Sequence, residues 1–409
     1  MVDSELTIPA VDRASFPASR RISVLQETLT AHGFAAALIS QPRSLYYYSG
    51  VALPAILWVP ADAPPLLLTR RVHQLAERAV AAGIQTAPAP NLDAICRILR
   101  DHDLLPKPGA LLGVELDVTP AELVERLRQA FPTLTVGNVA PFSLYQRAIK
   151  DPEEAETIER AAQLWPAAHA AVVETLRSGV SEFMVAAAVE YALRSAGSMG
   201  QVWFRRWDAA LPGGGIVASG PCAWIVSGLA MTVTGVGMSP ALPWGASRRT
   251  LTSGDLVVVD YGICVDGYHA DIARTYCVGR PSAAQYDLWQ RLLEIHHAVT
   301  ASIRPGLPAG ALYESALRIA QRAGVGAHFM GVAPDLGTYV GHGIGLELDE
   351  WPLAAAGQTT LLEAGMVLSI EPKLLVPGLG AVAIEDDFVV TGTGSRRLSP
   401  PDDELLCVG

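Results

Sequence analysis

The stretch Leu256–Val278, LVVVDYGICVDGYHADIARTYCV, constrains this chain more than any other. Two apolar runs flank Val265-Asp266-Gly267, a turn signal of the kind that joins antiparallel strands. Each run carries one carboxylate at odds with its neighbours: Asp260 behind three valines, and Asp271 just before Ile272. Side chains alternate faces along a strand, so parity decides whether the two acids meet. With Val265-Asp266 as the two-residue loop, Asp260 lies opposite Asp271. With Asp266-Gly267 as the loop, Asp260 faces Ala273 and Asp271 sits one diagonal away on the same face. Either register puts both acids on one surface. Two carboxylates removed from water repel each other and need a cation or a shared proton. A metal centre is the first reading.

The rest of the composition fits a large globular core. At 409 residues the chain holds two to three domains, taking about 150 residues per domain. Only 17% of residues are charged, the net charge is −11 and no Lys/Arg block occurs, which argues against nucleic acid or an anionic membrane as partner. Five scattered cysteines without CxxC spacing point to a reducing, cytoplasmic setting. The first residues, MVDSELTIPAVDR, carry acids where a signal peptide has basic residues, and no apolar run follows. Residues 209–247 contain no charge, yet Pro212, Gly213-Gly214-Gly215, Gly220-Pro221, Pro240 and Pro243 interrupt them. No helix of about 20 residues fits there, so buried strands and loops are expected, not a membrane span.

In chain order, Ser23–His32 has helical spacing and ends at Gly33, a favoured C-cap. Apolar runs at Ala35–Ser40, Ala55–Val59, Pro65–Thr69 and Leu111–Val114 alternate with helical patterns at His73–Ala82 and Pro120–Ala130. Strands alternating with helices predict an α/β domain ending near residue 145, and we place the boundary between residues 148 and 149. Asp151-Pro152-Glu153-Glu154 then opens a helix, with Asp as N-cap, Pro at the first position and acids in the first turn. Pro166 should kink or divide it, and Ser181–Ala196 should form another. Beyond Val202 the pattern is β-rich except for helices at Ala283–Ser302 and Gly310–Ala323, and strands return at Met366–Ile370 and Ala381–Thr391.

Three more residues in this C-terminal part stand out. His342 lies among glycines in Gly341-His342-Gly343-Ile344-Gly345; Glu371 follows an apolar run and precedes Pro372; Glu385 follows Ala381-Val382-Ala383-Ile384. Glu371 and Glu385 are spaced almost evenly about the Pro377–Gly380 turn, so they too can face each other across a hairpin. Singly, each reads as an ordinary loop or strand-end residue. Together they make four carboxylates and one imidazole beside apolar strands, a donor set suited to Mn²⁺, with Fe²⁺, Co²⁺ or Zn²⁺ as alternatives. Four acids exceed the need of one ion, so carboxylates bridging two ions about 3.5–4 Å apart are expected.

The order Asp260, Asp271, His342 in a GHGIG context, Glu371 before Pro and Glu385 before Asp-Asp resembles the pita-bread metallopeptidases: Xaa-Pro dipeptidases, aminopeptidase P and methionine aminopeptidase. Arg21–Gly50, with Tyr47-Tyr48-Ser49-Gly50, is similar to the creatinase/prolidase N-terminal domain, and Arg147-Ala148-Ile149-Lys150 to the interdomain linker. The resemblance implies an α/β N-terminal domain over residues 1–148 and an α+β pita-bread catalytic domain over residues 149–409. It implies that Asp260 binds one ion, that Asp271 and Glu385 bridge both, and that His342 and Glu371 complete the other. The activity implied is hydrolysis of an amide or peptide C–N bond by a hydroxide shared between two ions, with Glu371 carrying the proton to the leaving nitrogen and His342 beside it. A homodimer is implied as well.

The chain departs from that family where substrate is held. Its members usually carry a Pro-His step shortly before the first metal Asp, and here Pro243-Trp244 stands nearest to it. They carry a second histidine after GHGIG, where this chain has Asp349 in Leu348-Asp349-Glu350-Trp351-Pro352. Trp244 and Asp349 are therefore candidate substrate contacts, together with His269, which shares parity with Asp271; His328 and Arg205-Arg206 are weaker candidates. Three readings follow: a Xaa-Pro peptidase, the same metal site acting on a small non-peptide substrate as in creatinase, ectoine hydrolase or a sulfoniopropionate lyase, and a non-catalytic binding module.

Overall fold

The computed structural model describes residues 11–205, 211–225 and 232–409, in two compact units, Met1–Arg147 and Ala148–Gly409. The first unit is built on a mixed sheet of six strands: β1 (Phe34–Ile39), β2 (Ala55–Pro60), β3 (Leu66–Thr69), β4 (Gln85–Pro88), β5 (Leu111–Val114) and β6 (Thr135–Asn138). Their order is β4-β3-β2-β1-β5-β6, antiparallel across β1–β2 and β2–β3 and parallel elsewhere. Helices α1 (Ala18–Ala31), α2 (Pro42–Ser49), α3 (His73–Ala79), α4 (Leu92–Asp101), α5 (Ala121–Ala130) and α6 (Ala140–Ala148) alternate with the strands. Gly33, at φ +73°, stops α1 where its spacing predicts. The Tyr46–Tyr48 segment is helical although its sequence carried no periodic signal, because Gln41 accepts the Ser44 N–H as N-cap and Pro42 opens the turn.

The second unit starts with α7 (Pro152–Ala162), closed by a reciprocal capping box between Asp151 and Glu154. The helical pattern divides before Pro166, which sits in the first turn of α8 (Trp165–Thr175), and α9 (Glu182–Ala196) follows. One sheet has the order β18-β9-β8-β7, from β7 (Gly215–Ser219), β8 (Leu256–Val265), β9 (Tyr268–Val278) and β18 (Leu406–Val408). A second has the order β12-β13-β16-β17, from β12 (Gly341–Gly343), β13 (Val367–Ile370), β16 (Asp386–Val390) and β17 (Ser395–Arg397). Two small hairpins complete it, β10 (Gly331–Val332) with β11 (Asp335–Leu336) and β14 (Lys373–Val376) with β15 (Gly380–Ala383). Helices α10 (Ala283–Thr300) and α11 (Gly310–Arg322) pack on the far side of this second group. Among the described residues no helix is long and apolar enough to cross a membrane.

The β8–β9 hairpin is buried on both faces, which is why its strands read as near-continuous apolar runs rather than alternating ones. Val257, Val259, Tyr261, Ile263, Ala270, Ile272 and Tyr276 pack on α7–α9. The opposite face, carrying Val258 and Ala273, packs on Leu375, Ala381 and Ala383 of β14 and β15. Asp260 and Asp271 belong by parity to that second face. They are held between two sheets, away from bulk water.

Candidate metal centre

Asp266-Gly267 is the hairpin loop, at φ 50° and 86°, the left-handed pair of a type I′ turn. Asp260 therefore pairs with Ala273, Asp271 pairs with Gly262, and the two acids are diagonal neighbours on one face. The two glutamates arrive through a change of strand partner. β13 pairs with β16 through Ile370 and Asp386, and β14 pairs with β15 through Lys373 and Ala383, all in one register. Glu371 and Glu385 occupy the gap between these ladders. There the backbone turns outward: the Glu371 N–H donates to Val340 O, and the Glu385 N–H to Ala273 O on β9. The sequence pattern of Ala381–Thr391 reads as one strand, but it is two, broken at Ile384-Glu385 by this exchange. The break aims Glu385 at the hairpin acids.

His342 lies on β12, opposite Ser369 of β13. Its flanking glycines are required by close approach: a Cβ on Gly341 would lie 2.2 Å from Ser369 O, and one on Gly343 2.0 Å from Trp351 O. The imidazole Nδ1 is 3.0 Å from Gly343 O, which only accepts, so Nδ1 carries the proton and Nε2 presents a lone pair. That Nε2 is 3.9 Å from Asp271, 3.6 Å from Glu371, 3.8 Å from Glu385 and 3.6 Å from Asp349. Ligand atoms of Asp271, His342 and Glu385 lie within 4.8 Å of one another, and all three residues are buried.

The electrostatics match a centre short of positive charge. Burial, then the nearby Asp260, pushes the Asp271 carboxyl well above the usual range; burial and Asp271 do the same to Glu385. Burial raises Asp260 as well, against the opposing pull of Lys373. For His342 burial works downward, but Asp349 and Glu371 outweigh it and the imidazole rises. Asp271 Oδ1 is buried with no hydrogen-bond partner. An orphaned carboxylate oxygen beside an imidazole lone pair and further carboxylates is a donor set for a hard or borderline divalent cation.

Several residues here escape a reading of the sequence. Lys373 Nζ donates to Glu371 Oε2 at 2.5 Å and to Asp260 Oδ2 at 3.3 Å. Ser369 donates to Glu385 Oε1 at 2.9 Å, and Asp387 accepts the Asp271 N–H at 3.0 Å. Lys150 and Glu350 form a fully buried pair at 3.1 Å beneath the loop that carries Asp349. A buried lysine or serine carries no one-dimensional signal for such roles, because Asp260, Glu385 and Glu350 lie 113, 16 and 200 positions from Lys373, Ser369 and Lys150.

The chain belongs to metallopeptidase family M24. That family matches residues 156–392, and the creatinase/prolidase N-terminal domain matches residues 21–149. The Xaa-Pro dipeptidase of Pyrococcus furiosus is 28% identical over 389 residues, covering 94% of this chain and 99% of that one. Among solved structures, the prolidase from Pyrococcus horikoshii OT3 superposes with a TM-score of 0.77 at 26% identity, over 95% of this chain and 100% of that one. The Xaa-Pro dipeptidase from Bacillus anthracis gives a TM-score of 0.81 at 25% identity, over 96% and 100%. The second unit is thus the α+β pita-bread domain of an M24 metallopeptidase, preceded by a creatinase-like α/β domain.

The remaining candidates of this M24 chain fall into two groups. Asp349 comes to the imidazole with a partly exposed carboxylate, so it faces both His342 and solvent. Trp244 is half-buried in a loop where Gly235 and Gly245 bridge. His269 is buried with both ring nitrogens engaged by backbone, Nδ1 at Gly345 O (2.9 Å) and Nε2 accepting the Trp203 N–H (3.1 Å). It braces two loops instead of offering a nitrogen to substrate. His328 sits in a short turn after α11, Arg205 is half-buried, and Arg206 lies outside the described residues.

Proposed function

We propose that the chain hydrolyses an amide C–N bond of a small peptide with metal-activated water, as a Xaa-Pro dipeptidase or aminopeptidase-like enzyme. The observation that carries this reading is the buried convergence of Asp271, His342 and Glu385 in a chain of metallopeptidase family M24. Relatives named Xaa-Pro dipeptidase, matching almost end to end, support the substrate class. In this reading Asp260, Asp271, His342, Glu371 and Glu385 are the ligand set, and the domain boundary falls between residues 148 and 149. A divalent ion held there supplies Lewis acidity, polarising the scissile carbonyl and bringing the ionisation of water near neutral pH. Glu371 carries a proton from water to the leaving nitrogen. His342, its Nδ1–H held by Gly343 O, keeps a fixed ring orientation. Trp244 walls the substrate pocket, and Asp349 receives a cationic substrate group.

Oxygen donors with one imidazole favour Mn²⁺ over Fe²⁺, Co²⁺ or Zn²⁺. Four acids and one imidazole are enough for two ions, provided that the Lys373 ammonium leaves Asp260 and Glu371. Five free cysteines support a reducing, cytoplasmic setting. A homodimer completes the reading.

The test is turnover by the Mn²⁺-loaded chain of Xaa-Pro dipeptides, longer Xaa-Pro peptides and dipeptides lacking proline. Cleavage restricted to Xaa-Pro bonds is expected. Loaded protein that cleaves none of them gives way to the second reading, a small non-peptide substrate. Asp349, only 3.6 Å from His342 where the family usually places a histidine, favours that alternative.

A further inference from the structure

The carboxylate cluster contains a cation of its own. Lys373 is 1% exposed, and its Nζ holds one oxygen each of Glu371 and Asp260. The lysine backbone is fixed from behind: Lys373 pairs with Ala383 in the β14–β15 hairpin, and its carbonyl accepts the Met330 N–H. Of the two acids it holds, Glu371 also reaches the imidazole with its other oxygen, whereas Asp260 does not. Asp271, His342 and Glu385 form one end of the cluster, with Glu371 Oε1 3.6 Å from the imidazole. Asp260 forms the other end, and the ammonium stands between it and Glu371 Oε2.

We propose that the Lys373 ammonium takes the place of one of two cations, so that the protein binds a single divalent ion per chain, at the Asp271–His342–Glu385 end. The inference rests on the metal reading of the site and changes its stoichiometry. A divalent ion on Asp260 needs oxygens at about 2.0–2.2 Å, and the ammonium already holds Asp260 Oδ2. To make room, Lys373 would have to withdraw its charge from both carboxylates while staying out of solvent, at 1% exposure. A buried ammonium parted from its carboxylates has no compensation there. The other end of the cluster carries no such occupant. There the imidazole presents its lone pair, and Asp271 Oδ1 has no hydrogen-bond partner among the described residues.

The experiment counts metal rather than turnover. Purified protein is stripped with chelator, saturated with Mn²⁺, freed of unbound ion, and analysed for manganese per chain and by electron paramagnetic resonance. The native chain is expected to hold one Mn²⁺ with the hyperfine pattern of an isolated ion. Lys373→Ala and Lys373→Gly should hold two, with the spectrum of an exchange-coupled pair, whereas Lys373→Arg should stay at one. Two coupled ions in the native chain overturn the inference without recourse to any variant. Lys373→Ala or Lys373→Gly protein that folds and still holds one ion also overturns it. A native chain that holds no ion refutes the metal reading itself, a result distinct from a count of two.

Discussion

Glu385, Asp386 and Asp387 are consecutive, equally buried, and electrostatically opposite. Asp386 turns away from the candidate metal centre into a nest of basic side chains: Arg274 at 2.8 Å, Arg397 at 2.8 Å and His296 at 3.2 Å. Burial works to raise its carboxyl, but Arg274 leads the groups that overcome this and hold it at about 2. Glu385 and Asp387 turn the other way. Burial pushes Asp387 up to about 8, and Glu385 is pushed well above its usual range. One face of the strand is a completed ion pair that holds the two sheets together. The other is a set of acids still short of positive charge. A structural carboxylate and a candidate ligand are distinguished here by the balance of charge around them, not by burial, which they share.

The sharpest way to break this comparison is to remove one acid from each face. Asp271→Ala or Glu385→Ala should lower kcat/KM on a Xaa-Pro dipeptide by at least about 10³-fold. Loss of a supporting partner at a metal site typically costs only about 10–100-fold. Neither substitution should lower thermal stability, because each removes a charge the metal-free fold does not neutralise. Full activity in either would sink the metal mechanism. On the other face, Arg274→Met should destabilise the fold by about 3 kcal/mol, since it leaves Asp386 buried without its main partner. Its manganese content should stay unchanged. Denaturant unfolding checks the first statement and elemental analysis the second.

Much of this contrast was legible in the sequence, and the reason is local. The Val265-Asp266-Gly267 turn and two apolar runs define the hairpin, and parity places Asp260 and Asp271 on one face in either register. The glycines around His342 mark where backbones touch. What was not legible depends on pairing across the fold. Nothing in Ala381–Thr391 announces that β15 and β16 have different partners, yet that exchange is what aims Glu385 at the hairpin acids. Nothing in Glu371-Pro372-Lys373 singles the lysine out, and its role depends on Asp260, 113 positions earlier. His269 has the parity of a site residue, but its ring is held by Gly345 and Trp203 from loops that parity does not describe.

Acid and metal should act on the two faces in opposite senses. Asp387 sits at about 8 in the fold against an ordinary 3.8, so between these values the folded chain binds the extra proton. Metal-free protein should therefore lose stability as pH rises from about 4 to about 8. Asp386, at about 2, contributes stability that is complete above about 4 and lost as pH falls through 2. Melting curves of chelated protein should show a maximum near the acid end. Free Mn²⁺ at about 100 times its Kd should add about 2.7 kcal/mol and flatten the fall toward pH 8. A chelated chain that is most stable at pH 8 would mean that the ligand face is already neutralised.

The smallest expected effect tests the support of that face. The Ser369 hydroxyl reaches Glu385 Oε1 from the strand that also pairs with His342, so it fixes an oxygen of a candidate ligand. Ser369→Ala should weaken Mn²⁺ binding about 10-fold, within the range expected for a partner that orients a ligand. Titration calorimetry would read the loss as a changed Kd at unchanged stoichiometry. Loss of the ion altogether would make Ser369 part of the coordination sphere, and an unchanged Kd would make the hydroxyl a packing contact.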